Sequence, residues 1–285
     1  MEGKAVAPAA GTVLNALSTG RGSAFAIDEY TTATVEVTGE AGVTGEIDGA
    51  PEADTRLIER CVEYVLDAHG EQDAVGGHVY TESEVPMASG LKSSSAAANA
   101  TVMATLDALD ATDRMSRADM ARLGVMAARD VGVTITGAFD DASASMLGGV
   151  TVTDNETDDL LAHESVEWDV LVWSPPEQSF SADADVDRCK QIAPMARLVE
   201  DLALDGAYQR AMTVNGLAFC AALGYETDPL VEAMESVEGV SLSGTGPSFT
   251  AVGDRDALEA VRTYWDRRDG ETLLTTTQTE GTQTV

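Results

Sequence analysis

Polar and apolar residues alternate from Thr31 to Val37, the period-two pattern of a strand with one buried face. Upstream, from Lys4 to Asp28, small and apolar residues dominate, and downstream the polar, glycine-rich stretch from Gly39 to Gly49 predicts a hairpin or loop. The period then changes. Leu57, Ile58, Cys61, Val62, Val65 and Leu66 recur at helical spacing between Asp54 and His69, and Gly70 closes the segment. His78 to Val85 alternates again and leads into Pro86. An alanine-rich helix is predicted from Ser93 to about Leu109, and a second from Ser116, with Asp119 as a capping-box-like partner, to about Val131.

Beyond that point the pattern is less regular. Gly132 to Gly149 is small and polar, Val150–Thr153 and Trp168–Trp173 read as strands, and the connector between them is acidic. Two or three helices fill Asp185 to Gly224, a short one covers Asp228 to Ser236, and another spans Asp256 to Arg267. No internal repeat is present. The connector suggests a domain boundary near residues 155–165.

Charge changes the picture more than composition does. The hydrophobic content of 44% is that of an ordinary globular chain, but 49 Asp and Glu against 17 Lys and Arg leave a net charge of -32. Acidic residues occur in nearly every segment rather than in one tail, as in proteins adapted to concentrated salt. Such a surface repels nucleic acid and anionic membranes, so neither is an expected partner. Three scattered cysteines (Cys61, Cys189, Cys220) form no CxxC pair, and there is no signal-like start or long apolar run. A cytoplasmic protein acting on small molecules is expected.

One segment carries chemistry. Pro86, Met87, Ala88, Ser89, Gly90, Leu91, Lys92, Ser93, Ser94, Ser95 and Ala96 run from a loop into the alanine-rich helix. Small residues let the backbone approach a ligand, and the unpaired N–H groups and dipole of a helix start favour an anion, here a phosphate chain. The segment is not a Walker loop, because Leu91 separates the glycine from the lysine, and it is not GxGxxG. Its structural alternative is a serine-capped helix packed closely on a sheet. Lys92 is one of only three lysines, which favours an anion site. A second Gly/Ser loop, with Ser243, Gly244, Thr245 and Gly246, is alone no more than a turn, but two such loops could clasp one phosphoester. Asp140 and Asp141 fit either a solvated turn or a carboxylate that accepts a hydroxyl proton. The three histidines have no ligand spacing, and no Ser/His/Asp set or GxSxG is present.

PMASGLKSSSAAANA, GAFDDASAS and SLSGTGPSF, in that order and after GKAVAPAAGTVLNAL, together resemble the GHMP kinases, and in detail their archaeal shikimate kinase type. The resemblance spans nearly the whole chain. It implies an α/β (α+β) protein of two domains, residues 1–158 and 159–285, ribosomal-protein-S5-domain-2-like and then ferredoxin-like. It implies ATP and shikimate as substrates, with ATP along Pro86 to Ala96 and Mg²⁺ near Ser94. It further implies Asp140 or Asp141 as the catalytic carboxylate, and Asp130 as an acidic metal ligand. Some members carry a lysine where this chain reads Ala10-Gly11-Thr12, so a lysine–aspartate pair is not expected from that motif. Lys92 stands where a small residue is usual. Arg21 and Lys4 are the candidates for the substrate carboxylate. Another acceptor such as homoserine, or a nucleotide-binding relative without turnover, are the alternatives.

Overall fold

The computed structural model describes residues 1–70, 74–85, 90–177 and 184–285. Strands β1 (Glu2–Leu14) and β2 (Arg21–Thr38) form a long antiparallel pair, with Ala5 opposite Ala33 and Gly11 opposite Phe25. From Ala7 to Leu14 every residue of β1 is buried, so this strand is covered on both faces and shows no alternation in sequence. β2 pairs with β4 (Gly76–Ser83) over one part of its length and with β5 (Val150–Asp154) over another.

Two strands differ from the sequence expectation. Residues in the predicted loop form β3 (Gly42–Ile47), which pairs in parallel with β4. Helix α1 (Arg56–His69) is the crossover that a parallel pair requires. β3 is a sheet edge with Thr44 and Glu46 both exposed, and that polarity masks its strand pattern. The acidic connector is also a strand, β6 (Asp159–Glu164), which pairs with β5 at the same sheet's margin.

Helices α2 (Ser93–Ala108) and α3 (Arg117–Val131) lie where the periodicity places them. Ser116 caps α3 by accepting a hydrogen bond from the Asp119 amide. The small, polar stretch after Gly132 contains an unexpected helix, α4 (Phe139–Leu147). Phe139 through Met146 are all buried, so α4 has no polar face to give it a period. Ala5, Val35, Cys61, Val79, Leu106 and Phe139 belong to the core between this sheet and its helices.

The second layer is a four-stranded antiparallel sheet in the order β10–β7–β9–β8. Its strands are β7 (Asp169–Ser174), β8 (Gly239–Leu242), β9 (Phe249–Gly253) and β10 (Glu271–Thr276). Helices α7 (Tyr208–Leu223), α8 (Asp228–Met234) and α9 (Arg255–Trp265) pack on it, while α5 (Val186–Gln191) and α6 (Ala193–Leu204) pack on α7, α6 also reaching β1 and β2. A further core joins Phe25, Val150 and Val152 of the first sheet to Val170, Val172 and Met212 of the second layer. Trp168 bridges them, its ring centroid 5.5 Å from Phe25 and 6.2 Å from Tyr208. The chain end returns to the first sheet as β11 (Gln283–Thr284), beside β1. Among the described residues no helix is long and apolar enough to cross a membrane.

Candidate active site

The start of α2 is the centre of the site. Lys92, its N-cap, has a left-handed backbone (φ 65) and gives the helix no side-chain cap, and the first turn contains no acidic residue. The N–H groups of that turn have no partner within the helix, and the positive end of its dipole favours an anion there. Ser94 is exposed and Ser93 and Ser95 are half-buried, whereas Leu91 and Ala96 are in the core. Pro86, Met87, Ala88 and Ser89 lie outside the described residues.

The second Gly/Ser loop joins β8 to β9 and packs against this helix start. The Ser243 hydroxyl donates to the Gly90 carbonyl at 2.9 Å. Gly90 has φ 86, and a Cβ there would stand 2.5 Å from the Ser243 carbonyl oxygen, so only glycine permits this approach. The end of β1 and the residue just after it complete the junction. Gly244 N–H donates to Thr12 Oγ1 at 2.8 Å, and Asn15 Nδ2 donates to the Gly244 carbonyl at 2.7 Å. Asn15 N–H in turn donates to Asn215 Oδ1 at 3.0 Å, fastening α7 to the same point.

Asp140 and Asp141 occupy the first turn of α4, where a helix dipole favours negative charge. They are not a solvated turn: Asp140 is 4% and Asp141 8% exposed. Lys92 Nζ lies 2.8 Å from Asp141 Oδ1 and 2.9 Å from Oδ2. Burial raises the Asp141 carboxyl to about 7, the charge of Asp140 pushes the same way, and Lys92 opposes both. Asp140 is held differently, its Oδ1 accepting from Asn155 Nδ2 at 2.7 Å. Gly22 of β2 makes room for it, since a Cβ there would meet the Asp140 carboxyl carbon at 2.5 Å. Asn15, Lys92, Thr134, Thr136, Asp140 and Asp141 line one small cavity of about 50 Å³, together with Gly244 and Thr245.

Not every candidate is brought here. Asp130 sits at the α1–α3 contact, where Arg60 Nη2 binds its Oδ2 at 3.0 Å and the Tyr64 hydroxyl donates to the same oxygen. Those bonds, Tyr64 first, lower its carboxyl, and Asp130 does not line the cavity. Arg21 is committed to Asp154 at 2.9 Å and Glu200 at 3.5 Å, and Lys4 is exposed elsewhere on β1. Conversely, Asn155 carries no signal in the sequence, where it sits in the acidic connector. Asn15 lies in the N-terminal segment GKAVAPAAGTVLNAL, yet nothing local signals its partners. Among the described residues no group of three or more His, Cys, Asp or Glu side chains is placed to hold a metal ion.

A helix start whose dipole favours an anion, faced by a Gly/Ser loop and paired carboxylates, is an arrangement suited to phosphoryl transfer to a small molecule. The chain matches the family described as GHMP kinases N terminal domain over residues 56–149. Its fold is shared with homoserine kinase from Cytophaga hutchinsonii, at a TM-score of 0.77 and 18% identity, covering 100% of this chain and 97% of that one. Mevalonate kinase from Methanococcus jannaschii gives a TM-score of 0.77 at 15% identity and covers 98% of both chains. Sequence similarity reaches further. Shikimate kinase of Halobacterium salinarum is 63% identical over 286 residues, covering 100% of both chains. That of Methanococcoides burtonii is 50% identical over 266 residues, covering 93% of this chain and 91% of its own. The chain belongs to this archaeal shikimate kinase family within the GHMP kinases.

Proposed function

We propose that this protein transfers the γ-phosphoryl group of ATP to the 3-hydroxyl of shikimate, giving shikimate 3-phosphate and ADP on the route to chorismate and the aromatic amino acids. The observation that carries the reading is the convergence of Lys92, Asp140 and Asp141 on one cavity at the uncapped start of α2. ATP lies along Pro86 to Ala96 in this reading, its phosphates on the amides after Gly90 and beside the Lys92 ammonium. The loop from Ser243 to Gly246 closes on the phosphates from the other side. Asp140 accepts the proton of the attacking hydroxyl as its oxygen bonds to phosphorus and the bond to the ADP oxygen breaks. Asp141 holds Lys92 in place between the carboxylates and the phosphates.

Mg²⁺ would neutralise charge on the transferring group, and it takes most of its ligands from phosphate and water. The exposed Ser94 hydroxyl fits that demand. Asp130 does not line the cavity, and its Oδ2 is already bound by Arg60 and Tyr64.

The test is Asp140→Asn in a coupled ADP assay in multimolar KCl, with shikimate, homoserine and mevalonate as acceptors. The wild type is expected to turn over shikimate alone. The variant is expected to lose about 100-fold or more in kcat, the general-base share, with KM for ATP within about twofold. Unchanged turnover would remove Asp140 from the reaction, and turnover of homoserine instead would reassign the substrate.

A further inference from the structure

The two adjacent carboxylates are held by chemically different partners. Asp141 has the ammonium of Lys92, whereas the partner of Asp140 is a neutral amide, Asn155, in the turn between β5 and β6. Asn155 is 2% exposed and grips Asp140 at two points: Nδ2 donates to Asp140 Oδ1 at 2.7 Å, and Oδ1 accepts from the Asp140 backbone N–H at 3.2 Å. An ionised carboxylate can only accept and a backbone N–H can only donate, so the amide fits in one orientation. The Thr153 hydroxyl, donating to the same Oδ1 at 2.7 Å, fixes that orientation further.

The turn is itself braced. Asn155 N–H donates to the Gly20 carbonyl at 2.8 Å, and Arg129 Nη2 donates to the Asn155 carbonyl at 3.0 Å. Arg129 is clamped in turn by Asp158 at 2.6 and 2.7 Å. Its guanidinium also lies under Gly137, where a Cβ would come within 2.2 Å of Nη2, so the approach to α4 and the turn behind it share one support.

We infer that Asn155 is the positioning residue of the reaction, fixing the direction of the Asp140 carboxylate, with Arg129 bracing the turn that carries it. The inference rests on the reading of Asp140 as proton acceptor. The physical gain is specific: a cation in the same place would draw off the negative charge that a base needs, while an amide sets geometry without neutralising it. Lys92 and Asn155 thus divide the pair, one serving charge balance beside the phosphates and the other aim at the hydroxyl.

Asn155→Ala, and the isosteric Asn155→Asp in case the first does not fold, test this in the full chain. Each is expected to lower kcat about 10–100-fold, the scale of a misaimed catalytic group, with KM for ATP within about twofold. In an Asp140→Asn background Asn155→Ala should cost less than about twofold more, because it acts through Asp140. A merely structural role would multiply the two losses, and that result, or a folded Asn155→Ala with kcat within twofold of wild type, overturns the inference. A crystal structure of Asn155→Ala gives a readout independent of turnover. Asp140 is expected in a different rotamer, and an unmoved carboxylate refutes the positioning role even if the wild type proved inactive on shikimate, which would instead sink the proposed reaction.

Discussion

Lys92 and Asp141 are each only 11% exposed in their side chains, so neither charge is well served by water. For Asp141 burial outweighs the lysine, and its carboxyl stands above the ordinary 3.8, at about 7. The folded chain therefore binds this proton more tightly than the unfolded chain does. Its contribution to stability is complete below about pH 4 and is lost as pH rises through 7. Lys92 limits that loss by pairing with the ionised form. Lys92→Met is thus expected to melt close to wild type at pH 5 and below it at pH 8, by up to about 1.4 kcal/mol, since protonation of Asp141 caps the loss at the one unit between pH 8 and a carboxyl at about 7. Thermal melts of both proteins across that range, in the same concentrated KCl, measure the difference. An equal gap at both pH values would show that the pair does not govern Asp141. Lys92 and the two aspartates were legible in the sequence as candidates. Their pairing was not, since contacts between residues 92 and 141 leave no trace in local periodicity.

The elements that were legible are those with one wet face. α1 and α3 show their apolar stripes, and Ser116 and Asp119 mark the start of α3. α4 and β1 were hidden because they are buried almost all round, and β3 and β6 because they are polar sheet margins. The site lies where the hidden elements meet the readable α2. Asn15 shows how such a junction is held: it bonds the β8–β9 loop through Gly244 and α7 through Asn215. Asn15→Ala keeps the backbone bond to Asn215 but strips the buried Gly244 carbonyl of its amide donor, at a cost of about 1–3 kcal/mol. The loop proposed to face the phosphates would then be less well placed. The expected outcome is a lower melting temperature together with a KM for ATP raised several-fold and kcat changed less. A fall in stability with KM unchanged would make the junction purely structural.

At the scale of the whole molecule, a chain of net charge -32 is proposed to bind two anions, a nucleoside triphosphate and a carboxylate. Short-range donors can hold them once they arrive, but the long-range field opposes their approach. Salt separates the two effects by distance. The screening length falls from about 10 Å at 0.1 M to about 3 Å at 1 M, which removes repulsion from the distant surface and leaves contacts at the start of α2 largely intact. The same screening relieves self-repulsion among the 49 acidic side chains, so melting temperature and activity should rise together with KCl. The sharper expectation concerns KM. Between about 0.2 and 1 M KCl it should fall for ATP and for shikimate, and more steeply for ATP, which carries more negative charge. Sucrose, which stabilises folded proteins without screening charge, should raise the melting temperature and leave both KM values where they were. If sucrose lowers KM as KCl does, salt acts only by folding the chain, and the surface charge has no part in how substrates reach the site.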